Sequence, residues 1–140
     1  LQSALLCAKN IQNIQGRVLL QSSAFGAYDT DKVVAHARAY ARELEREGIP
    51  KDRFCIKIPC TGPALNASPI LLKEGIRTLG TSLFSLPQAI AASQAGCLSI
   101  SPYYNCEFLV TLNTDDGVCH MCYADTLSPL VSSAVVSRRR

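Results

Sequence analysis

Three times in the middle of this chain a helical pattern stops at a glycine and an apolar stretch begins. The glycines are Gly48, Gly75 and Gly96. A glycine just past a helix supplies the left-handed turn that ends it. Helix followed by strand, repeated, is the signature of parallel strands joined by helical crossovers. That repeat constrains the fold more than any other feature of the sequence.

The first such helix is expected over about 31–47. Val33, Val34, Ala37, Tyr40, Ala41 and Leu44 fall on one face at helical spacing. Asp29 or Thr30 can accept from the free amides at its start. Pro50 blocks continuation, and RFCIKIP reads as a buried strand. A second helix is expected over 63–74, then the strand IRTLGTSLF. Ser85 can cap a short helix, SLPQAIAASQA, before the strand CLSISPYY. Upstream, a helical pattern in 1–14 precedes the strand GRVLLQ. The order is α-β-α-β-α-β-α-β, which suits a doubly wound sheet or part of a barrel. No GxGxxG or GxxxxGK[ST] occurs, so the nucleotide-binding form of the wound sheet lacks its usual evidence.

The pattern changes after Asn105. FLVTL reads as a short strand, and the rest of 106–140 is turn-rich with weak periodicity. We therefore divide the chain into an α/β segment, 1–105, and a divergent, poorly structured tail, 106–140. Position 1 is Leu and the only methionine is Met121. That is expected of a processed chain or of a piece of a longer one.

Charge narrows the partners. The net charge is +3, and Arg138, Arg139 and Arg140 account for all of it. The body is balanced, which argues against nucleic acid, since that partner needs a clustered basic face. No apolar run approaches the ~20 residues of a membrane span, and no secretory leader is evident. Seven irregularly spaced cysteines fit reduced thiols better than a secreted disulfide framework. A cytoplasmic protein is expected. Cys119, His120 and Cys122 with Cys106 have metal-ligand types, but a single CxxC is a weak zinc signal, and no metal is expected. His36, one step from the apolar helix face, is expected to be structural.

The residue that stands out is Lys57, between Ile56 and Ile58 in FCIKIP. Side chains alternate across a strand. Packing the isoleucines under helices turns Cys55, Lys57 and Pro59 to the other face. Lys57 is also near the C-terminal end of its strand, where α/β folds place their sites. An amine in apolar surroundings loses solvation of its charged form, and the neutral amine attacks carbonyls. A strand-end lysine snorkelling into water is the plainer alternative. Gln21, Thr81, Ser82, Ser99, Ser101 and Tyr103 occupy equivalent strand ends and suit a sugar-like substrate.

The run from Arg53 to Asn105 resembles the transaldolase family. The matching segments are Cys55-Ile56-Lys57-Ile58-Pro59, Thr81-Ser82-Leu83-Phe84-Ser85, Gln88-Ala89 and Ile100-Ser101-Pro102-Tyr103, in that order. GRVLLQ and AYDTDKVVAHAR resemble the preceding strand and helix. The resemblance covers about 15–105 and implies a class I aldolase (β/α)8 barrel, with about four of eight strands present. It implies that Lys57 forms the Schiff base, that Thr81 helps hold the catalytic water, and that Ser101 contacts the substrate near its phosphate end. No cofactor is required by that chemistry, and the partner is a sugar or sugar phosphate.

Departures from the family pattern qualify the expectation. The family glutamate falls at Gln21, the phosphate-binding arginine at Cys106, and an asparagine at Leu79. The family's aspartate belongs to an earlier strand that this chain lacks. Gln21 with Tyr103 resembles the fructose-6-phosphate aldolase branch, where the tyrosine serves proton transfer. Dihydroxyacetone transfer is thus the expected reaction. Plain aldol cleavage or addition is an alternative, as is an inactive remnant with open sheet edges. Such edges also suit an oligomer.

Overall fold

A computed structural model describes residues 2–103. Within them the fold is α/β, with one sheet of four parallel strands in sequential order. The strands are β1 (Val18–Gln21), β2 (Phe54–Pro59), β3 (Thr78–Leu83) and β4 (Ser99–Pro102). Helices α1 (Gln2–Asn10), α2 (Thr30–Arg46), α3 (Gly62–Lys73) and α4 (Leu86–Gln94) alternate with them. The expected element order is therefore found. Four parallel strands in sequential order, alternating with helices, match half of a (β/α)8 barrel.

Every element except α2 and α3 is shorter than its sequence pattern. The pattern in 1–14 is α1 followed by a 3-10 turn, Ile11–Asn13. Arg53 ends it there: its guanidinium donates to Ile11 O, Ile14 O and Gly16 O, carbonyls that a longer helix would use internally. The strand expected over CLSISPYY is β4, Ser99–Pro102, with Leu98 N and Tyr103 N also bonding to Thr78 O and Leu83 O of β3. FLVTL, the tail and the cysteine-histidine cluster lie outside the described residues.

The glycine stops are found. Gly48, Gly75 and Gly96 all have φ near +78°, at +79°, +76° and +78°. Asp29, not Thr30, caps α2, accepting from Lys32 N at 3.1 Å. Thr30 instead donates to Pro63 O at 2.7 Å, tying α2 to the start of α3. His36 is structural, as expected. Its Nδ1 accepts from Ser23 N at 3.0 Å, and its ring stacks on Tyr40.

The core lies between sheet and helices. Leu20, Ile56, Ile58 and Leu83 pack there against Val33, Ala37, Leu44, Ala64, Leu71 and Ala92, all buried. Gly80 belongs to this face because nothing larger fits. An added Cβ would stand 2.7 Å from Cys60 Sγ and 3.2 Å from Ala92 Cβ. Among the described residues, no helix is long and apolar enough to cross a membrane.

Outside the core, Arg38 of α2 forms a two-pronged pair with Glu74, the residue that ends α3. The guanidinium holds the Glu74 carboxyl below its ordinary range. A lowered folded value means a contribution that is complete above the ordinary carboxylate range and lost as pH falls through the lowered value.

Two outcomes follow from this packing. Gly80→Ala lowers stability by about 1–3 kcal/mol in urea unfolding, the usual effect of overfilling a core. Adding Cys60→Ala removes the clash and recovers part of that loss; a Gly80→Ala chain as stable as the parent contradicts the packing described. Glu74→Gln flattens the acid limb of the stability curve, read by circular dichroism from neutral pH into the carboxylate range. Coincident parent and variant curves through that range contradict a role for the pair.

Candidate active site

The second face of the sheet carries the candidate residues. Ile56 and Ile58 are fully buried under the helices, so strand alternation turns Lys57 to the opposite face. The sequence expectation for Lys57 is met in placement: it is half-buried at the C-terminal half of β2. Cys55 and Pro59, its neighbours on that face, are buried.

Register shows what stands beside it. Gln21 of β1 and Leu79 of β3 are the strand partners of Lys57, and Ser99 of β4 is the partner of Leu79. Gln21, Lys57, Leu79 and Ser99 therefore form one row across the sheet. One pleat further toward the C-terminal end, Thr81 partners Pro59. The Lys57 carbonyl also accepts from Ser22 N at 2.8 Å, which fixes the end of β1 against β2.

Thr81 is the unusual member of this face. It is fully buried, and its Oγ1 has no hydrogen-bond partner among the described residues. A buried hydroxyl without a partner costs about 1–3 kcal/mol, and such groups mark sites where another polar group belongs. Leu79, beside Lys57, is apolar and 7% exposed. Cys55 offers no competing nucleophile. Burial pushes its thiol up to about 12, so it stays protonated.

Other expected residues are less tightly gathered. Gln21 is exposed on the open β1 side, although it partners Lys57 directly. Ser101 is half-buried on β4. Tyr103 lies just past β4, is 46% exposed, and packs on Phe84 with ring centroids 5.1 Å apart. Gln21 and Tyr103 stand at opposite edges of the four strands, roughly 14 Å apart by strand spacing. Lys57, Gln21 and Thr81 are thus brought together, and Tyr103 is set apart from Gln21.

One feature escaped the sequence reading. β3 carries a register shift between Gly80 and Leu83, where three residue steps oppose two on β4, from Ile100 to Pro102. The extra residue resets the pleat, so that Gly80 and Leu83 both face the helices. Ser82, within the shift, has φ of +51°. Gln88 of α4 then closes the turn. Its partnership with Ser85 is a capping box, and S-x-x-Q was visible in the sequence. The bulge itself had no sequence signal, because Ser82 is neither glycine nor asparagine.

Comparison with known proteins finds relatives of this chain. The transaldolase/fructose-6-phosphate aldolase family profile matches residues 3–111. A transaldolase of Methylococcus capsulatus is 40% identical over 95 residues, 68% of this chain and 29% of that protein. One of Nostoc punctiforme is 42% identical over 95 residues, 68% of this chain and 28% of that protein. One of Vibrio cholerae is 40% identical over 93 residues, 66% of this chain and 29% of that protein. The chain thus spans under a third of the length of the curated relatives it matches. On the match to most of its length, the chain belongs to the transaldolase/fructose-6-phosphate aldolase family.

Proposed function

We propose that this chain carries the Schiff-base strand of a class I aldolase site and that the whole protein transfers a dihydroxyacetone unit between sugar phosphates. The single observation behind this reading is the placement of Lys57. It stands half-buried on the face away from the helices, flanked by buried Cys55 and Pro59.

The steps balance without any external oxidant or reductant. The neutral Lys57 amine adds to the ketose carbonyl carbon, forming a carbinolamine. Loss of water gives an iminium on Nζ. A general base takes the proton of the hydroxyl on the fourth carbon as the bond between the third and fourth carbons breaks, its electrons flow into the iminium, and an aldehyde leaves. The remaining enamine attacks an acceptor aldehyde, the same base returns its proton to the new alkoxide, and water adds to the iminium to free the new ketose and the Lys57 amine. Thr81 suits the water steps, since its buried hydroxyl has no protein partner among the described residues. Ser101 suits the far end of a bound sugar phosphate.

A second reading is favoured by Gln21, the direct strand partner of Lys57. An amide takes up no proton at neutral pH, unlike a carboxylate. Proton transfer would then fall to a group such as the Tyr103 phenol, and the enamine would be protonated rather than passed to an acceptor. That is aldol cleavage, or addition in reverse.

Incubation with fructose 6-phosphate and borohydride is expected to fix one sugar-derived adduct on the Lys57 peptide, read by mass spectrometry. Lys57→Met is expected to abolish it, while leaving the far-ultraviolet circular dichroism unchanged. An undiminished adduct in that folded variant overturns the assignment. Product analysis with and without an aldose phosphate acceptor separates transfer from cleavage.

A further inference from the structure

We propose that Gln88 is a positioning residue for Lys57 chemistry, joining the ends of β2 and β3 so that Thr81 is held one pleat beyond Lys57 on the inner face. This rests on the Schiff-base reading above and adds to it a residue that touches neither substrate nor Lys57.

Gln88 lies in the first turn of α4. Its Oε1 accepts from Phe84 N at 2.8 Å and Ser85 N at 3.2 Å. Its Nε2 donates to Cys60 O at 3.0 Å and Ser82 O at 3.3 Å. Two of these partners bracket the site. Cys60 is three residues past Lys57, and Ser82 is one past Thr81. The ladder bond from Cys60 N to Thr81 O, at 2.7 Å, completes the link. The ends of the Lys57 strand and the Thr81 strand therefore meet on one side-chain amide.

That amide also holds an unfavourable backbone. Ser82 adopts a left-handed φ of +51° without being glycine, and such conformations persist only where their surroundings over-determine them. Gln88 grips Ser82 O and Phe84 N, on either side of Leu83. Leu83 is thereby kept in the helix-side core while Thr81 keeps the inner face. Only an amide supplies two donors and an acceptor at this length. Glutamate cannot donate to the two carbonyls, and methionine can do neither.

The test compares the rate of adduct formation on Lys57, with fructose 6-phosphate and cyanoborohydride, across full-length variants. Gln88→Met and Gln88→Glu are expected to slow adduct formation about tenfold to a hundredfold, the scale of a 1 Å misplacement. Both are checked for folding by circular dichroism, and Gln88→Glu carries the result should the apolar variant unfold. Thr81→Ala supplies the readout that a merely structural role would not move. When Gln88 acts through Thr81, the double variant Thr81→Ala/Gln88→Met is no slower than the slower single variant. Losses that multiply in the double variant overturn the proposal, as do Gln88 variants that react within twofold of the parent. An adduct in the parent with either of those results leaves the Lys57 assignment standing. No adduct in the parent overturns that assignment and this proposal together.

Discussion

Parallel strands cannot be joined by a tight turn. Each needs a crossover that returns over one face of the sheet, and the crossover helix must find an apolar surface there. In this chain that surface is built by alternate residues of four strands. Leu20, Ile56, Ile58 and Leu83 face the helices and are buried. The alternation leaves Lys57 no other choice than the opposite face. The hydrophobic core and the candidate nucleophile are thus two results of one constraint, the two-residue period of a strand.

The same constraint explains the care taken at the end of β3. A strand that kept strict alternation past Gly80 would turn Leu83 inward. The bulge at Ser82 returns Leu83 to the core and leaves Thr81 on the inner face. A left-handed serine is unfavourable, so neighbouring groups must hold it. Gln88, in the first turn of the following helix, donates to its carbonyl. A helix start that looks like local capping therefore has a consequence across two strands.

Four strands leave the inner face unequally covered. Its middle, at Cys55, Leu79 and Thr81, is buried, while Leu19 and Gln21 on β1 are exposed. Lys57 sits at the boundary between these zones. That position gives the amine apolar neighbours for its stem and access for its tip, which is what a carbonyl-attacking lysine needs. Membership of the transaldolase/fructose-6-phosphate aldolase family fits such a site.

The helices, strands and their order were legible in the sequence because they depend on local rules. Periodicity marks the buried faces, Asp29 and Ser85 start two of the helices, and Gly48, Gly75 and Gly96 end three of them. The facing of Lys57 was legible for the same reason, since two flanking isoleucines settle it. Element ends were less so: Arg53 takes carbonyls of the first helical segment from 39 and 42 residues away in sequence, and no local pattern announces that. The row of Gln21, Lys57, Leu79 and Ser99 depends on register, which arises only when strands pair. The orphaned hydroxyl of Thr81 and the grip of Gln88 on four other residues likewise exist only in the folded chain. Sequence alone determined which face Lys57 takes; tertiary pairing decided what stands beside it, because neighbours on different strands are chosen by non-local hydrogen bonds.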